Sequence, residues 1–488
     1  MNLLAFDYGA SSGRSILGTF DGDTITTSEL HRFENRPVTY GSHLYWDFPF
    51  LFDQIKIGLL EAKKNGTAPA AIGVNTWGVD FGLLDRAGLL MGNPFHYRDS
   101  LTDGAMDEFF GVLPSRELYA KTGIQNLKFN TLFQLYAIGR RYPHLLEQAR
   151  SLLFMPDLMN YYLTGVPYCE YTIASTSQML DVRQRDWNAS LLGLLGLPDS
   201  LLQPVSPACK TLGGLTPALR DELDIDTSVV SVCGHDTASA VLAVPMKVGE
   251  ICAWLSCGTW SLLGVELDAP LTHSAAYDSQ YSNEGGRGGS IRFLKNIMGL
   301  WIAGELKRQY DRANGPTGFA VLDAAEDAAP PLRSLINPDS PEFLAPGHMI
   351  EKVRDFCRRS SQPVPESIGE LLRCVTESLA LKYRMYVESL EDVLGYKLPV
   401  LRIVGGGIKN KALMKATASA LGRPVCAGPV EATSLGNLCG QLLALGELSS
   451  MAQARSLIAR SCESQNYAPS DGELWQDAYG RFQKICAL

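Results

Sequence analysis

Asp7 is followed at once by a run of small residues and a guanidinium, Gly9-Ala10-Ser11-Ser12-Gly13-Arg14. Small residues let backbone N–H groups approach phosphate oxygens, and a carboxylate such as Asp7 can hold Mg2+ or the waters of its shell. A second small turn, Gly258-Thr259, adds a hydroxyl donor, and a third, Gly405-Gly406-Gly407, follows a run of strand-forming residues. Asp236-Thr237 stands ahead of a small-residue helix start, Ala238-Ser239-Ala240. Lys295-Asn296 precedes Ile297-Met298-Gly299-Leu300-Trp301, where it also reads as the polar start of a helix. Taken singly, each of the three loops is also what an ordinary hairpin turn looks like.

Two other motifs point elsewhere and fail on context. Gly9-Ala10-Ser11-Ser12-Gly13 matches the nucleophile elbow G-x-S-x-G, but that elbow needs a helix after the serine, and the residues that follow are strand-like. Asp80-Phe81-Gly82 spells the metal-binding triplet of protein kinases, yet neither an H-R-D-x-x-x-x-N loop nor a G-x-x-x-x-G-K-[ST] loop accompanies it. Asp80 is therefore expected only to terminate a strand.

The elements that must position these groups follow from the apolar patterning. Leu3 to Phe6 and Ser15 to Phe20 flank the first turn as strands, and Ile251 to Leu255 and Trp260 to Gly264 flank the second in the same cadence. The chain reads as internally duplicated. Ala71 to Thr76 predicts a strand, residues 130 to 163 a helix-rich stretch, and Leu398 to Val404 a strand entering the glycine turn, after which Asn410 caps a helix that stops at Gly422. A long helix after Pro365 carries an apolar face through Leu371, Leu372, Val375, Leu379, Val387 and Leu390. The chain passes from its first half, 1–244, to its second, 245–488, where Pro245 and Gly249 interrupt the pattern.

Composition limits the partners. With 488 residues, 46% hydrophobic and 19% charged, the chain can bury two or three cores. A net charge of −9 without basic runs excludes a broad nucleic-acid surface, so any phosphorylated ligand is held locally by backbone and a metal ion. The N-terminus meets Asp7 too early for a signal peptide, and no stretch approaches a membrane span, which predicts a cytoplasmic protein. Eleven cysteines without a C-x-x-C pair fit reduced thiols, with Cys357 and Cys374 able to approach each other.

An acidic first hairpin, a mid-chain Gly-Thr hairpin and a late glycine turn, in that order, resemble the actin, hexokinase and Hsp70 superfamily. Within it, Gly234-His235-Asp236-Thr237-Ala238-Ser239-Ala240 is similar to the catalytic segment of the FGGY carbohydrate kinases. Thr76-Trp77-Gly78-Val79-Asp80-Phe81, Tyr97-Arg98-Asp99-Ser100, Lys295 to Trp301 and Gly428 to Ala432 narrow the resemblance to the family members that act on L-rhamnulose. The resemblance implies an α/β fold of two actin-like, ribonuclease H-like ATPase domains flanking a central cleft. It implies ATP and Mg2+ as cofactors, a small sugar as partner, and neither nucleic acid nor membrane. By the same resemblance Asp236 is the general base. Ala10, Ser11, Ser12, Gly13, Arg14, Thr259 and Gly406 contact ATP; Gly78, His235, Asp236, Thr237 and Asn296 contact the sugar; and Asp7 serves the metal. Trp46 and Arg98 are further candidates for the sugar pocket. Relatives can carry a Gln where this chain has Gly304, so that nucleotide contact is not carried over. Kinases for L-fuculose, xylulose or glycerol, and a non-enzymatic chaperone or filament protein of the superfamily, are the competing readings.

Overall fold

The computed structural model describes residues 1–198, 200–247 and 249–487. By packing, the chain divides into two units: Met1–Lys247 with Glu266–Leu294 and Ala432–Ser461, and Val248–Val265 with Lys295–Glu431 and Cys462–Leu488. A single cut at 244/245 follows the linear order of the chain, whereas in space two later segments pack back into the first unit.

The first unit is built on a six-stranded sheet. Its strands are β1 (Asn2–Tyr8), β2 (Ser12–Phe20), β3 (Ile25–Glu34), β4 (Ala71–Thr76), β5 (Lys210–Gly214) and β6 (Ser228–Ser231), in the order β5-β6-β4-β1-β2-β3. β1 pairs antiparallel with β2 and parallel with β4, while β6 pairs parallel with β4 and antiparallel with β5. Covered on both faces, β1 has no polar face along Leu3-Leu4-Ala5-Phe6, all fully buried. Alternate residues then divide its surroundings. Leu4, Phe6 and Tyr8 join Leu51, Ile55 and Leu59 of α1 (Phe48–Lys64) in one core, which also takes Leu158, Met159 and Leu163. α1 begins where Asp47 accepts a hydrogen bond from the Phe50 N–H and ends on Lys63 and Lys64, charges that suit the negative end of a helix. The stretch from residue 130 is helix-rich as expected: α2 (Thr131–Arg141), a short helix at Pro143–Gln148 and α3 (Met155–Thr164), with one short strand, Ser151–Phe154, before α3. Among the short helices that follow are α4 (Tyr171–Ala174) and α5 (Asp236–Leu242).

The second unit repeats the plan. β7 (Ala253–Cys257) and β8 (Trp260–Leu267) form an antiparallel hairpin. The chain then runs through a second hairpin, β9 (Ser282–Gly285) and β10 (Ile291–Met298), which belongs to the first unit as far as Leu294, before β11 (Leu401–Val404), β12 (Val425–Ala427) and β13 (Gln465–Tyr467) of the second. β7 pairs parallel with β11, β11 parallel with β12, and β12 antiparallel with β13. These pairings match those of β2-β1-β4-β6-β5, so the duplication expected from two short hairpins extends through five strands. β11 starts three residues later than expected, since Pro399 has no N–H to give a ladder. Among the helices of this unit are α6 (Trp301–Asn314), α7 (Ile368–Leu394) and α8 (Lys411–Leu421). α7 opens on a reciprocal cap between Ser367 and Glu370, and α8 begins at the Asn410 cap and ends at Gly422, with φ 62°. Cys357 and Cys374 are free thiols, as are the other nine cysteines.

The chain re-enters the first unit at α9 (Ala432–Ala444), which lies across β1, β4 and α5. Small residues make that approach possible. A Cβ on Gly436 would stand 1.8 Å from the Ser239 carbonyl oxygen of α5, and one on Gly73 of β4 would stand 2.7 Å from Asn437 Oδ1. Gly436→Ala therefore sets two effects against each other. Helix propensity favours alanine by about 1 kcal/mol, whereas forcing the backbones apart costs about 1–3 kcal/mol. We expect a lower Tm in thermal denaturation; an unchanged or higher Tm would contradict this packing.

Candidate active site

Asp7 is the next-to-last residue of β1, with its side chain on the α9 side of the sheet. Its register neighbours are Arg14 on β2 and Asn75 on β4. Oδ2 accepts from Arg14 Nε at 3.1 Å and Nη2 at 2.8 Å and from Ser434 Oγ at 3.3 Å, while Oδ1 accepts from Asn75 Nδ2 at 3.0 Å. The ladder continues inward, where Asn437 Nδ2 donates to Asn75 Oδ1 at 2.7 Å and Gln441 Nε2 donates to Asn437 Oδ1 at 2.7 Å. These partners lie up to about 430 residues along the chain from Asp7, so no local pattern announces them.

The loop after Asp7 is held by Gly9 N–H donating to Ser12 O at 2.9 Å and by Asn35 Nδ2 donating to Gly9 O at 2.9 Å. Ser11 and Ser12 are exposed and Ala10 is half-buried. Gly13 has a structural reason to be glycine, because a Cβ there would meet the Phe33 ring at 2.1 Å.

Asp236 begins α5, and the residues before it are pinned from three sides. Thr76 N–H donates to Gly234 O at 2.9 Å, Gly234 N–H donates to Glu170 Oε2 at 2.9 Å, and His235 N–H donates to Thr172 Oγ1 at 3.3 Å. Glu170 is fully buried and its carboxyl also accepts from Thr172 N and Oγ1 and Ile173 N. Asp236 Oδ1 accepts from its neighbour Thr237, N at 2.5 Å and Oγ1 at 3.2 Å, and faces His235 Nε2 at 3.3 Å. It is the first helical residue rather than a cap, for the position before α5 is His235. Asp236 Oδ2 accepts no hydrogen bond among the described residues, and the side chain is 30% exposed. Removal from water raises its proton affinity, repulsion from Asp7 adds to that, and His235 and Thr237 partly offset it. A carboxylate made more basic, with one open oxygen, is equipped to take a proton.

Gly78 faces Thr176, whose nearest atom would be 3.2 Å from a Cβ, and Thr176 Oγ1 accepts from Val79 N–H at 3.0 Å. Gly78 and His235 are thus both held by the segment of α4 and the turn after it. Asp80 does more than end a strand. Its fully buried carboxylate accepts from Trp46 Nε1 at 2.6 Å, Trp77 Nε1 at 2.9 Å and Gln134 Nε2 at 2.9 Å. Trp46 is fully buried in that cluster and is not an open pocket wall. Arg98 is half-buried and donates through Nε to Tyr97 Oη at 3.1 Å.

In the second unit the two expected turns meet at Cys257. Gly405, with φ 95°, would place a Cβ 2.9 Å from Cys257 O, and Gly407 would place one 2.3 Å from Cys257 Sγ. Gly406 between them is exposed and its Cβ would meet nothing within 4 Å, so packing does not require glycine there. The Gly258-Thr259 turn receives the start of α6, with Leu300 N–H donating to Gly258 O at 3.0 Å and Trp301 N–H to Thr259 O at 3.2 Å. The Thr259 side chain is half-buried. Lys295 and Asn296 lie on β10 rather than at a helix start, since α6 begins only at Trp301. Strand geometry sends their side chains to opposite faces. Burial lowers Lys295 to about 8, with its Nζ 4.4 Å from the Tyr386 ring centre. A side chain at Gly304 on α6 would likewise meet open space.

No group of three or more His, Cys, Asp or Glu gathers as a metal cage among the described residues. Asp7 Oδ2 is saturated by donors while Oδ1 has capacity left. That donor set suits a hydrated Mg2+ carried by nucleotide phosphates, the usual mode for this ion.

A duplicated α/β architecture with small turns at equivalent hairpins and one basic carboxylate at a helix start is that of a small-molecule kinase. Residues 2–243 match the FGGY family of carbohydrate kinases, N-terminal domain, and residues 253–445 match its C-terminal domain. The chain belongs to the FGGY family of carbohydrate kinases. It is 41% identical to a rhamnulokinase of Bacteroides thetaiotaomicron over 99% of both chains, and 39% identical to one of Yersinia pestis over 100% of this chain and 99% of that one. In fold it is similar to xylulose kinase from Lactobacillus acidophilus (TM-score 0.80, 16% identity, 99% and 97% of the chains). It is also similar to Plasmodium falciparum glycerol kinase with ADP (TM-score 0.78, 15% identity, 100% and 97%). No helix among the described residues is long and apolar enough to cross a membrane.

Two predictions follow from this geometry. Gly406→Val should raise KM for ATP with an unchanged Tm, because the added side chain enters open space where a nucleotide would lie; an unchanged KM would remove Gly406 from the site. Burial raises Asp80 to about 7, against the donors Trp46, Gln134 and Trp77 that lower it. An unfolded aspartate titrates near about 4. Its contribution to stability is therefore complete below about pH 4 and is lost as pH rises through about 7. Asp80→Asn has no such titration, so the wild type should lose Tm relative to the variant between pH 4 and 8. A Tm difference independent of pH would contradict the assignment.

Proposed function

We propose that the chain transfers the γ-phosphoryl group of ATP to the C1 hydroxyl of L-rhamnulose, giving L-rhamnulose 1-phosphate and ADP. The observation that carries the choice of sugar is the near-complete coverage at 38–41% identity to rhamnulokinases from several bacteria. Asp236 takes the C1 proton as that oxygen attacks the γ-phosphorus in line. His235, Thr237 and Gly78 hold the sugar in the N-terminal half, 1–244. Asn296 adds a further sugar contact from the C-terminal half, 245–488.

ATP is bound by Ala10 through Arg14, by the Thr259 hydroxyl and by the bare backbone at Gly406. Asp7 would hold the hydrated Mg2+ that comes with the nucleotide, an ion that would neutralise phosphate charge. Arg14 keeps Asp7 compensated, so the two leave little net charge to repel incoming phosphates. A cytoplasmic setting agrees with a substrate that is itself a metabolite.

L-Rhamnulose should give the highest kcat/KM in a coupled ADP-release assay against L-fuculose, D-xylulose and glycerol. A site that hydrogen-bonds particular hydroxyls leaves buried polar groups unpaired with the wrong sugar. A higher value with another acceptor would overturn the substrate and leave the family standing. Thr259→Val should weaken transition-state stabilisation by about 1–3 kcal/mol, read in kcat/KM for ATP, with little change in sugar affinity. Unchanged ATP kinetics would reduce Gly258-Thr259 to a turn.

A further inference from the structure

His235 is bracketed by three charged groups of the first unit: Asp236, Glu284 and Arg292. Glu284 on β9 and Arg292 on β10 are register partners across that hairpin. Arg292 is completely buried, with Nε donating to Gly285 O at 2.9 Å. Its Nη2 stands 3.0 Å from Glu284 Oε2 and 3.1 Å from His235 Nδ1. Glu284 Oε2 is 3.4 Å from the same ring nitrogen. On the other side of the ring, Nε2 faces Asp236 Oδ1 at 3.3 Å.

A guanidinium only donates, and it does not lose its proton in proteins. Of the two groups beside His235 Nδ1 only Arg292 is in hydrogen-bond geometry, since Glu284 Oε2 makes no hydrogen bond, so Nδ1 accepts from the guanidinium. In the neutral ring the proton then sits on Nε2, the nitrogen that stands 3.3 Å from Asp236 Oδ1. Burial pushes Glu284 up, but the Arg292 guanidinium beside it works against this and the carboxyl lies below the ordinary range, so it balances the Arg292 charge. The arrangement is costly as mere packing. Arg292 Nη1 and Glu284 Oε2 are buried without a hydrogen-bond partner, and such a pair is commonly replaced by apolar residues without loss of stability.

We infer that Arg292 is a positioning residue that locks His235 in the Nε2–H tautomer, so that His235 and Thr237 occupy Asp236 Oδ1 and Oδ2 is the oxygen that receives the substrate proton. This rests on Asp236 being the base. As the acceptor oxygen bonds to the γ-phosphorus and the bond from that phosphorus to the ADP oxygen breaks, the acceptor's proton moves to Oδ2. His235 keeps its own proton throughout and serves as a donor. A hydroxyl reaching His235 Nε2 can only accept from it, which leaves that hydroxyl's own proton for Oδ2.

Protein labelled with 15N at its seven histidines gives the test, through two-bond 1H–15N correlation spectra at a pH where the ring is neutral, with His235 assigned by loss of its signals in His235→Gln. The wild type should show protonated Nε2 and unprotonated Nδ1. In the double variant Glu284→Met/Arg292→Met, which removes both charges together, the ring should become a mixture of tautomers. Its kcat should fall by up to about 10²-fold, with KM for ATP unchanged. Arg292→Lys, which keeps a donor, should restore part of both. A wild-type ring protonated on Nδ1 would overturn the inference, as would a folded double variant with mixed tautomers and normal kcat. If the double variant does not fold, the wild-type spectrum still decides. Failure of Asp236 as base would appear separately, as normal turnover in Asp236→Asn with the His235 spectrum as expected.

Discussion

The position of Asp236, the base we propose, depends on a second carboxylate, that of Glu170. Glu170, fully buried, accepts four hydrogen bonds, three from the start of α4 and one from Gly234. Burial raises its proton affinity, and those donors work against that rise. These bonds fix the backbone one residue before His235, while Thr76 holds the same residue, Gly234, from the end of β4. α5 then has one place to begin, and Asp236 follows from it.

The same arrangement of opposed costs recurs around Asp7. A carboxylate at the end of a buried strand beside a second carboxylate is unfavourable on both counts. Arg14 offsets the charge, and the Asn75-Asn437-Gln441 ladder meets the remaining hydrogen-bonding demand across the β4–α9 packing. Small residues are what allow it: Gly73 and Gly436 bring backbone and amide side chains to distances that a Cβ would forbid. Fold stability and site chemistry therefore draw on the same few contacts in the first unit. In the second unit the two turns share one support, the Cys257 backbone, and only Gly406 is left without a packing role.

Much of this was legible in the sequence. Strand patterning around Asp7 and around Thr259 marked both hairpins, and the caps Asn410 and Gly422 marked α8 to the residue. The order of the turns carried the family. What was not legible is what depends on distant pairing. Glu170 meets Gly234 across 64 residues, Asn437 meets Asn75 across 362, and Arg292 meets His235 across 57. None of these has a local signature, because an Asn in a helix or an Arg in a strand is ordinarily solvated surface. Asp80 was read as a strand terminator since nothing near it in sequence reveals that Trp46 and Gln134 converge on it. Lys295-Asn296 was open to a helix-start reading because the β10 strand runs on to Met298 before the chain turns.

The central claim is that Asp236 removes the acceptor proton, and single-turnover phosphoryl transfer by Asp236→Asn at saturating ATP and sugar tests it most directly. Asparagine keeps the shape and the contacts with Thr237 but cannot take a proton. The account predicts a folded variant that binds both substrates and transfers phosphate about 10²–10⁴-fold more slowly. Near-normal transfer in a folded variant would contradict it.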